Sequence, residues 1–319
     1  MSADDKDIPY IDTLDPFSGI LSFFRVPYAQ DPKAGDIAVL GIPFDLGASN
    51  RAGARLGPRA IREQSAFVGE WSWGVWPWEY DFRDHRRVID YGDVTGFQAY
   101  PKRMLENVEK IATDILAKDA HMLSLGGDHM VALPLLRAHA AKHGPLALVH
   151  FDAHSDTWID EDINHGTMFY HALQEGLIDP KKSIHIGLRT PNPDTHGIEI
   201  IDGFALQDMG PKAVAEAIRN RVGDSKAYLT FDIDFLDPVY APGTGTPVVG
   251  GPSTIQARQI LLGLRGMNFV GGDLVEVSPP YDPIGAVTAL AGATLAGDII
   301  YLIHEGQGTS KSGKTRHEP

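Results

Sequence analysis

Pro145-Leu146-Ala147-Leu148-Val149-His150-Phe151-Asp152-Ala153-His154-Ser155-Asp156 runs from an apolar stretch straight into a set of ionisable residues. Its first half is the unbroken hydrophobic run of a strand buried on both faces. In the second half His150, Asp152, His154 and Asp156 alternate with apolar or small residues. The two-residue period of an extended strand predicts that these four side chains share one face. Imidazoles and carboxylates crowded on a buried face resist burial unless a cation neutralises them, so the stretch predicts a metal site at the end of an interior strand. A solvated edge strand is the alternative, and the apolar lead-in argues against it.

Two other segments have the same form. Ala227-Tyr228-Leu229-Thr230-Phe231 leads into Asp232-Ile233-Asp234, which predicts two carboxylates on one face at the end of a hydrophobic run. Met122-Leu123-Ser124-Leu125 ends in Gly126-Gly127-Asp128-His129, an apolar strand, a glycine turn and a histidine. Together the segments bring histidines and several carboxylates to strand C-termini, where open α/β sheets bind their ligands. Such a set suits two divalent cations sharing carboxylates better than one structural zinc.

Around these segments strands and helices alternate. Strands are predicted at 37–44, 88–93, 122–125, 145–151, 183–188, 226–231 and 268–275. Helices are predicted at 103–118, from Val131 to Gly144, and at 167–176, 211–222, 253–264 and 286–299. The alternation predicts an α/β fold with a single three-layer α/β/α domain and a mostly parallel central sheet. Residues 47–62 form a glycine-punctuated loop entering a helix with Pro58 in its first turn. The loop fits no nucleotide motif and is expected at the mouth of the site. Residues 1–34 are expected to be an arm packing on the body or on a neighbouring subunit, 35–304 the domain, and 305–319 a disordered tail. Four of the five tryptophans fall at Trp71, Trp73, Trp76 and Trp78, which suggests an aromatic rim or subunit contact, with core packing as the alternative.

The 319 residues include no cysteine, which excludes disulfides, thiolate metal sites and cysteine nucleophiles. A formal net charge of -14 argues against nucleic acid as a partner and is permissive for cationic substrates. No apolar run is expected to approach the ~18 residues of a membrane span, and the acidic start lacks a basic leader. The expectation is a cytoplasmic protein without a membrane partner.

The quoted segments resemble the arginase/agmatinase (ureohydrolase) family, through Gly126-Gly127-Asp128-His129, Phe151-Asp152-Ala153-His154-Ser155-Asp156, His165-Gly166-Thr167-Met168-Phe169 and Phe231-Asp232-Ile233-Asp234-Phe235-Leu236-Asp237-Pro238. Val275-Glu276-Val277-Ser278-Pro279-Pro280-Tyr281-Asp282 completes the set, and the bacterial agmatinase branch is the most similar. The resemblance implies an arginase-like fold and a binuclear site, with manganese expected and nickel the alternative. His129, Asp152, Asp156 and Asp232 would hold one ion, and His154, Asp152, Asp232 and Asp234 the other. Asp152 and Asp232 would bridge. Asp128 and His150 are expected to support the ligands rather than bind. The implied reaction is hydrolysis of a linear guanidino compound to urea and an amine, by a hydroxide shared between the ions. Asp156 would hydrogen-bond that hydroxide and pass on its proton, Glu276 would orient the guanidinium, and His165 would serve the departing amine. A homo-oligomer, trimer or hexamer, is also implied.

Agmatine is the expected substrate, because Asp160, Glu161 and Asp162 could face an ammonium and no basic residue lies between Asp156 and His165 to hold a carboxylate. Guanidine, an alkylguanidine or biguanide, guanidinobutyrate and guanidinopropionate are the alternatives. A silent partner subunit in a mixed oligomer is a reading of another class, and the presence of all six ligands argues against it. A binuclear phosphoesterase would call for Arg or Lys within the metal motifs, which have none. Three positions depart from the family pattern: Asn164 where an aspartate is common, Phe235 where a small residue is common, and a longer 283–287 segment. None removes a ligand, and all three are expected near the outer end of the pocket.

Overall fold

The computed structural model describes residues 17–70, 76–97, 99–192 and 194–307. Among the described residues eight parallel strands form one sheet: β1 (Ile37–Gly41), β2 (Val88–Asp93), β3 (His121–Leu125), β4 (Ala147–Phe151), β5 (Ile184–Leu188), β6 (Glu199–Asp202), β7 (Ala227–Asp232) and β8 (Phe269–Val275). Their order across the sheet is β2-β1-β3-β8-β7-β4-β5-β6. The helices are α1 (Gly57–Glu70), α2 (Phe82–His85), α3 (Pro101–Leu116), α4 (Ala132–His143), α5 (Met168–Gln174), α6 (Gly203–Val222), α7 (Thr254–Gly263) and α8 (Val287–Gly306). They bury the two faces of the sheet in two apolar clusters, giving the expected three layers.

The central strands read as continuous hydrophobic runs because both their faces are covered: every residue of β1, β4, β7 and β8 is buried. The register aligns their ends. Leu125 pairs with Leu274, Phe231 with Leu274, Asp232 with Val275, and Phe151 with Phe231. The loops leaving β3, β8, β7 and β4 therefore rise side by side, and these are the loops that carry the metal motifs.

Helix α8 has a length and apolarity that pass for a membrane span, yet 83% of that stretch is buried. It is the core helix of this domain, packed against α1, α7 and β8. It also runs to Gly306, past the expected end at 299. The edge strand β6 and the first half of α6 were not expected. In α6 two helical stretches meet at Gly210 (φ +73°) and Pro211, and the predicted start at 211 marks that kink.

Within residues 17–34, the described part of the N-terminal arm, Phe17 and Ile20 are exposed while Phe23–Val26 are buried. Phe23 and Phe24 are buried, and Phe24 meets Phe82 edge-on at 5.7 Å. Gly69 and Gly297 make room for its ring, since a Cβ on them would lie 3.0 and 2.9 Å from it. Phe23 N–H donates to Asp90 and Phe24 N–H to the Ser65 hydroxyl. Of the tryptophan group, Trp78 is a core residue stacked on Tyr301 at 4.7 Å, with its indole N–H donating to Asp298. Trp76 is exposed beneath the Arg258 guanidinium. Trp71 and Trp73 lie outside the described residues, as does the expected tail beyond Gln307.

Candidate metal centre

The strand reading of 150–156 fails after Phe151, where β4 ends. Asp152, His154 and Asp156 reach one place through an irregular turn in which Asp156 takes the left-handed conformation, φ +52°. Likewise Asp232 ends β7, and Asp234 follows in a 3-10 turn whose N–H is accepted by the Asp232 carboxylate at 2.7 Å. Carboxylates from adjacent loops converge more tightly than one pleated face allows, because a turn brings residues i and i+2 around one point.

His129 enters from the turn after β3. That turn lies so close to the Phe44 backbone that a Cβ on Gly127 would sit 1.6 Å from the Phe44 oxygen. Asp128 caps it, accepting from Met130 N–H and from Gly47 N–H at 2.6 Å, so it holds the turn as expected. His129 Nδ1 then lies 2.9 Å from Asp156 Oδ2, 3.1 Å from Asp152 Oδ2 and 3.4 Å from Asp232 Oδ2. His154 Nδ1 lies 3.0 Å from Asp234 Oδ2 and 3.3 Å from Asp152 Oδ1. Asp152 thus turns one oxygen to each imidazole. His150 Nε2 meets Asp152 Oδ2 at 2.9 Å, the supporting position expected of it. Phe169 packs edge-on against His129 and His150, keeping this side dry.

The charges in this cluster do not balance. Burial and the neighbouring Asp152 carboxylate raise Asp156 to about 7, and burial with the adjacent aspartates also raises Asp232 and Asp234. Only Asp152 is held well below the usual carboxylate range, because three imidazoles outweigh its burial. The same carboxylates raise His129 and His154 although burial opposes it. Fully ionised, the four acids would carry four negative charges against at most two on the imidazoles, so without a cation the cluster takes up protons, and oxygen plus imidazole donors suit hard or borderline divalent ions. The residues fit a pair of cations.

Glu276 follows β8 with φ +64°, a strained conformation that aims its carboxylate back toward His129. Its Oε1 accepts from His129 N–H and meets His165 Nδ1, both at 2.9 Å, while the buried Oε2 has no partner among the described residues. His165 is drawn up to about 9 by Glu276 against its own burial. Ser49 acts in the other direction: its N–H donates to His165 Nε2 at 2.9 Å, and only a bare nitrogen can accept it. Ser49 belongs to the loop expected at the mouth of the site.

Two of the departures prove structural. Asn164 Oδ1 accepts from Gly166 N–H at 2.8 Å and so shapes the turn carrying His165, a task its carbonyl shares with a carboxylate. Phe235 is buried in an aromatic cluster with Phe151 and Phe231. Ile284, in the longer segment, is fully exposed. Asp160, Glu161 and Asp162 are exposed, and the Asp160 carboxylate accepts from Asp162 N–H. Several supporting residues went unnoticed in the sequence. Arg189 donates to four carbonyls, of Gly187, Asp234, Phe235 and Val248, pinning the Asp232–Asp234 turn. Thr230 and Asp273 stand behind His129. An acid in the middle of an apolar strand, as Asp273 is, was the available signal.

A parallel sheet whose four central strand ends gather carboxylates and imidazoles around room for two cations defines a binuclear metallohydrolase of the α/β class. The arginase family profile matches residues 35–301, and the chain belongs to that family, whose members carry a binuclear divalent metal centre and cleave guanidino C–N bonds. It is 47% identical over 291 residues to an agmatinase from Chromobacterium violaceum, covering 90% of this chain and 89% of that one. A crystal structure described as a hypothetical agmatinase from Burkholderia thailandensis superposes with a TM-score of 0.89 at 48% identity, covering 92% of this chain and 93% of the other. Proclavaminate amidino hydrolase from Streptomyces clavuligerus gives 0.86 at 34%, covering 92% and all of that chain.

Proposed function

We propose that the protein hydrolyses agmatine to urea and butane-1,4-diamine. The observation that carries this reading is the unpartnered Oε2 of Glu276, buried beside the metal cluster and His165. A buried acceptor without a donor is costly, and a guanidinium supplies donors in a planar fork that matches a carboxylate. The high identity to agmatinases along nearly the whole chain supports agmatine within the guanidino class.

His129, Asp152, Asp156 and Asp232 would hold one ion and His154, Asp152, Asp232 and Asp234 the other, with manganese the proposed metal. When bound, two such cations lower the pKa of water from 15.7 toward neutrality and supply a nucleophile at neutral pH. Glu276 then fixes the guanidinium by charge and turns its carbon toward the aspartate cluster. Asp156 accepts a hydrogen bond from the attacking water and takes its proton. His165, raised to about 9 by Glu276 against its burial, holds a proton at neutral pH and can give it to the departing amine. Water adds to the guanidino carbon, the bond to the alkylamine nitrogen breaks, and that nitrogen leaves protonated. The enzyme is proposed to work in the cytoplasm as a homo-oligomer.

Urea release from agmatine, guanidinobutyrate, guanidinopropionate, arginine, guanidine and dimethylbiguanide, measured separately with manganese and nickel, tests the reading. Agmatine with manganese is expected to exceed every other pair at least tenfold. Faster release from guanidine or a biguanide with nickel would replace agmatine, and release from none would leave a silent subunit.

A further inference from the structure

We propose that Thr230 and Asp273 are positioning residues that fix the tautomer of His129, so that its Nδ1 presents a bare lone pair to the ion. This rests on the reading of the His/Asp cluster as a metal centre.

The three side chains form a line behind the cluster. His129 Nε2 lies 2.7 Å from Thr230 Oγ1, and Thr230 Oγ1 lies 2.6 Å from Asp273 Oδ1. Tyr228 donates its hydroxyl to Asp273 Oδ2 at 2.8 Å. His129, Thr230, Asp273 and Tyr228 are each no more than 1% exposed, so solvent plays no part in the arrangement. Strand register builds the line. Thr230 pairs with Asp273 across β7 and β8, and Tyr228 sits two residues back on the same face of β7.

The direction of the hydrogen bonds follows from counting hydrogens. Burial raises Asp273, but the His129 charge and the hydroxyls of Thr230 and Tyr228 oppose the rise; as a carboxylate it has no hydrogen to give, so the single hydroxyl hydrogen of Thr230 goes to Asp273. Thr230 Oγ1 can then only accept from His129, which puts the imidazole proton on Nε2. In the neutral imidazole that holding a cation requires, Nδ1 is then the bare nitrogen, and it faces Asp152, Asp156 and Asp232 within 3.4 Å. With the line reversed, the proton would sit on Nδ1 and block the ligand position. Partners of this kind behind a ligand histidine change metal affinity by about 10–100-fold when removed.

Metal-depleted wild type, T230V, T230S and Y228F are titrated with Mn2+, reading free ion by its EPR signal and the metal-free fold by thermal melting. Wild type is expected to take two ions. T230V keeps the volume and loses the hydroxyl, so one ion should weaken at least ~10-fold while the other changes little. T230S should restore it, and Y228F should stay near wild type because Thr230 still donates to Asp273. Two ions bound by T230V as by wild type, or T230S as impaired as T230V, overturns the proposal. Wild type that binds fewer than two ions at saturation refutes the metal reading instead. Should T230V not melt cooperatively, D273N reads the same line from its other end: its amide hydrogens can turn the Thr230 hydroxyl toward Nε2. The same selective weakening is expected, and unchanged binding of two ions overturns the proposal.

Discussion

Glu276→Gln isolates the charge that is proposed to bind the guanidinium. The amide keeps the volume of the carboxylate and an oxygen for His129 N–H and His165, which both meet Oε1 at 2.9 Å. What it loses is the negative charge at the partnerless Oε2, where a donor is expected to dock. A hydrogen bond to a charged group contributes about 1.5–3 kcal/mol, and each 1.36 kcal/mol is tenfold in rate, so kcat/KM for agmatine should fall roughly 10- to 150-fold. Urea release against agmatine concentration gives that ratio, and Mn2+ titration checks that two ions still bind. A second readout comes from His165. Glu276 is the largest influence raising it to about 9 against burial, so the substitution lets it drop. A His165 needed in its protonated form would then be lost at lower pH, moving the alkaline limb of the rate profile downward. A kcat/KM within threefold of wild type, with both ions retained, would refute Glu276 as the guanidinium partner.

Other substitutions test the frame. Phe24→Ala removes a ring enclosed by Phe23, Phe82, Gly69 and Gly297, and should destabilise by about 3–5 kcal/mol in denaturant melts, with activity kept in the folded fraction. Asn164→Asp keeps the acceptor for Gly166 N–H, so kcat/KM for agmatine should stay within threefold of wild type; a larger change would place residue 164 against the substrate. Burial holds His139 neutral down to about 4. Between its unfolded pKa near 6.5 and that value only the unfolded chain gains the proton, so stability is full above ~6.5 and falls with pH toward 4. His139→Met should flatten that slope by about one proton in urea midpoints taken across the window. Chelation should lower the melting temperature and abolish urea release, and Mn2+ should restore both, since an ion at 100 times its Kd stabilises by about 2.7 kcal/mol.

Periodicity located what burial on two faces makes regular. The runs ending at Phe151, Phe231 and Leu125 are strands in which apolar residues dominate and the few polar ones, His150, Thr230 and Ser124, are themselves buried, and the glycines at 126 and 127 mark a turn that admits no Cβ. The motifs named the residues that converge. Short or interrupted elements were harder to read: β6 has four residues at a sheet edge, and Gly210-Pro211 hid the first half of α6. The tryptophan group divided, because Trp78 has a hydrogen-bond acceptor in Asp298 and Trp76 does not share it. No local pattern announces a long-range partner of that kind. Arg189 is invisible for the same reason, since its four acceptors are carbonyls from three separate segments.

The one reading that failed within the motifs is also the most informative. Regular alternation would have carried Asp152, His154 and Asp156 outward along a strand at about 3.3 Å per residue, spreading the three across more than 13 Å. Binding a pair of ions needs donors gathered around points a few ångströms apart, so the strand must stop. Asp156 and Glu276 both adopt positive φ, which costs of order 1–3 kcal/mol at a residue with a side chain. The buried hydrogen bonds around them hold that strain: Phe169 N–H donates to the Asp156 carbonyl, and Glu276 N–H to the Gly127 carbonyl at 2.9 Å. Replacing either acid with glycine would relieve the backbone and lose the carboxylate, so any fall in activity that accompanies a rise in stability reports the strain directly. Residue identities therefore declare the chemistry of this site, while its geometry depends on backbone departures that side-chain patterning does not record.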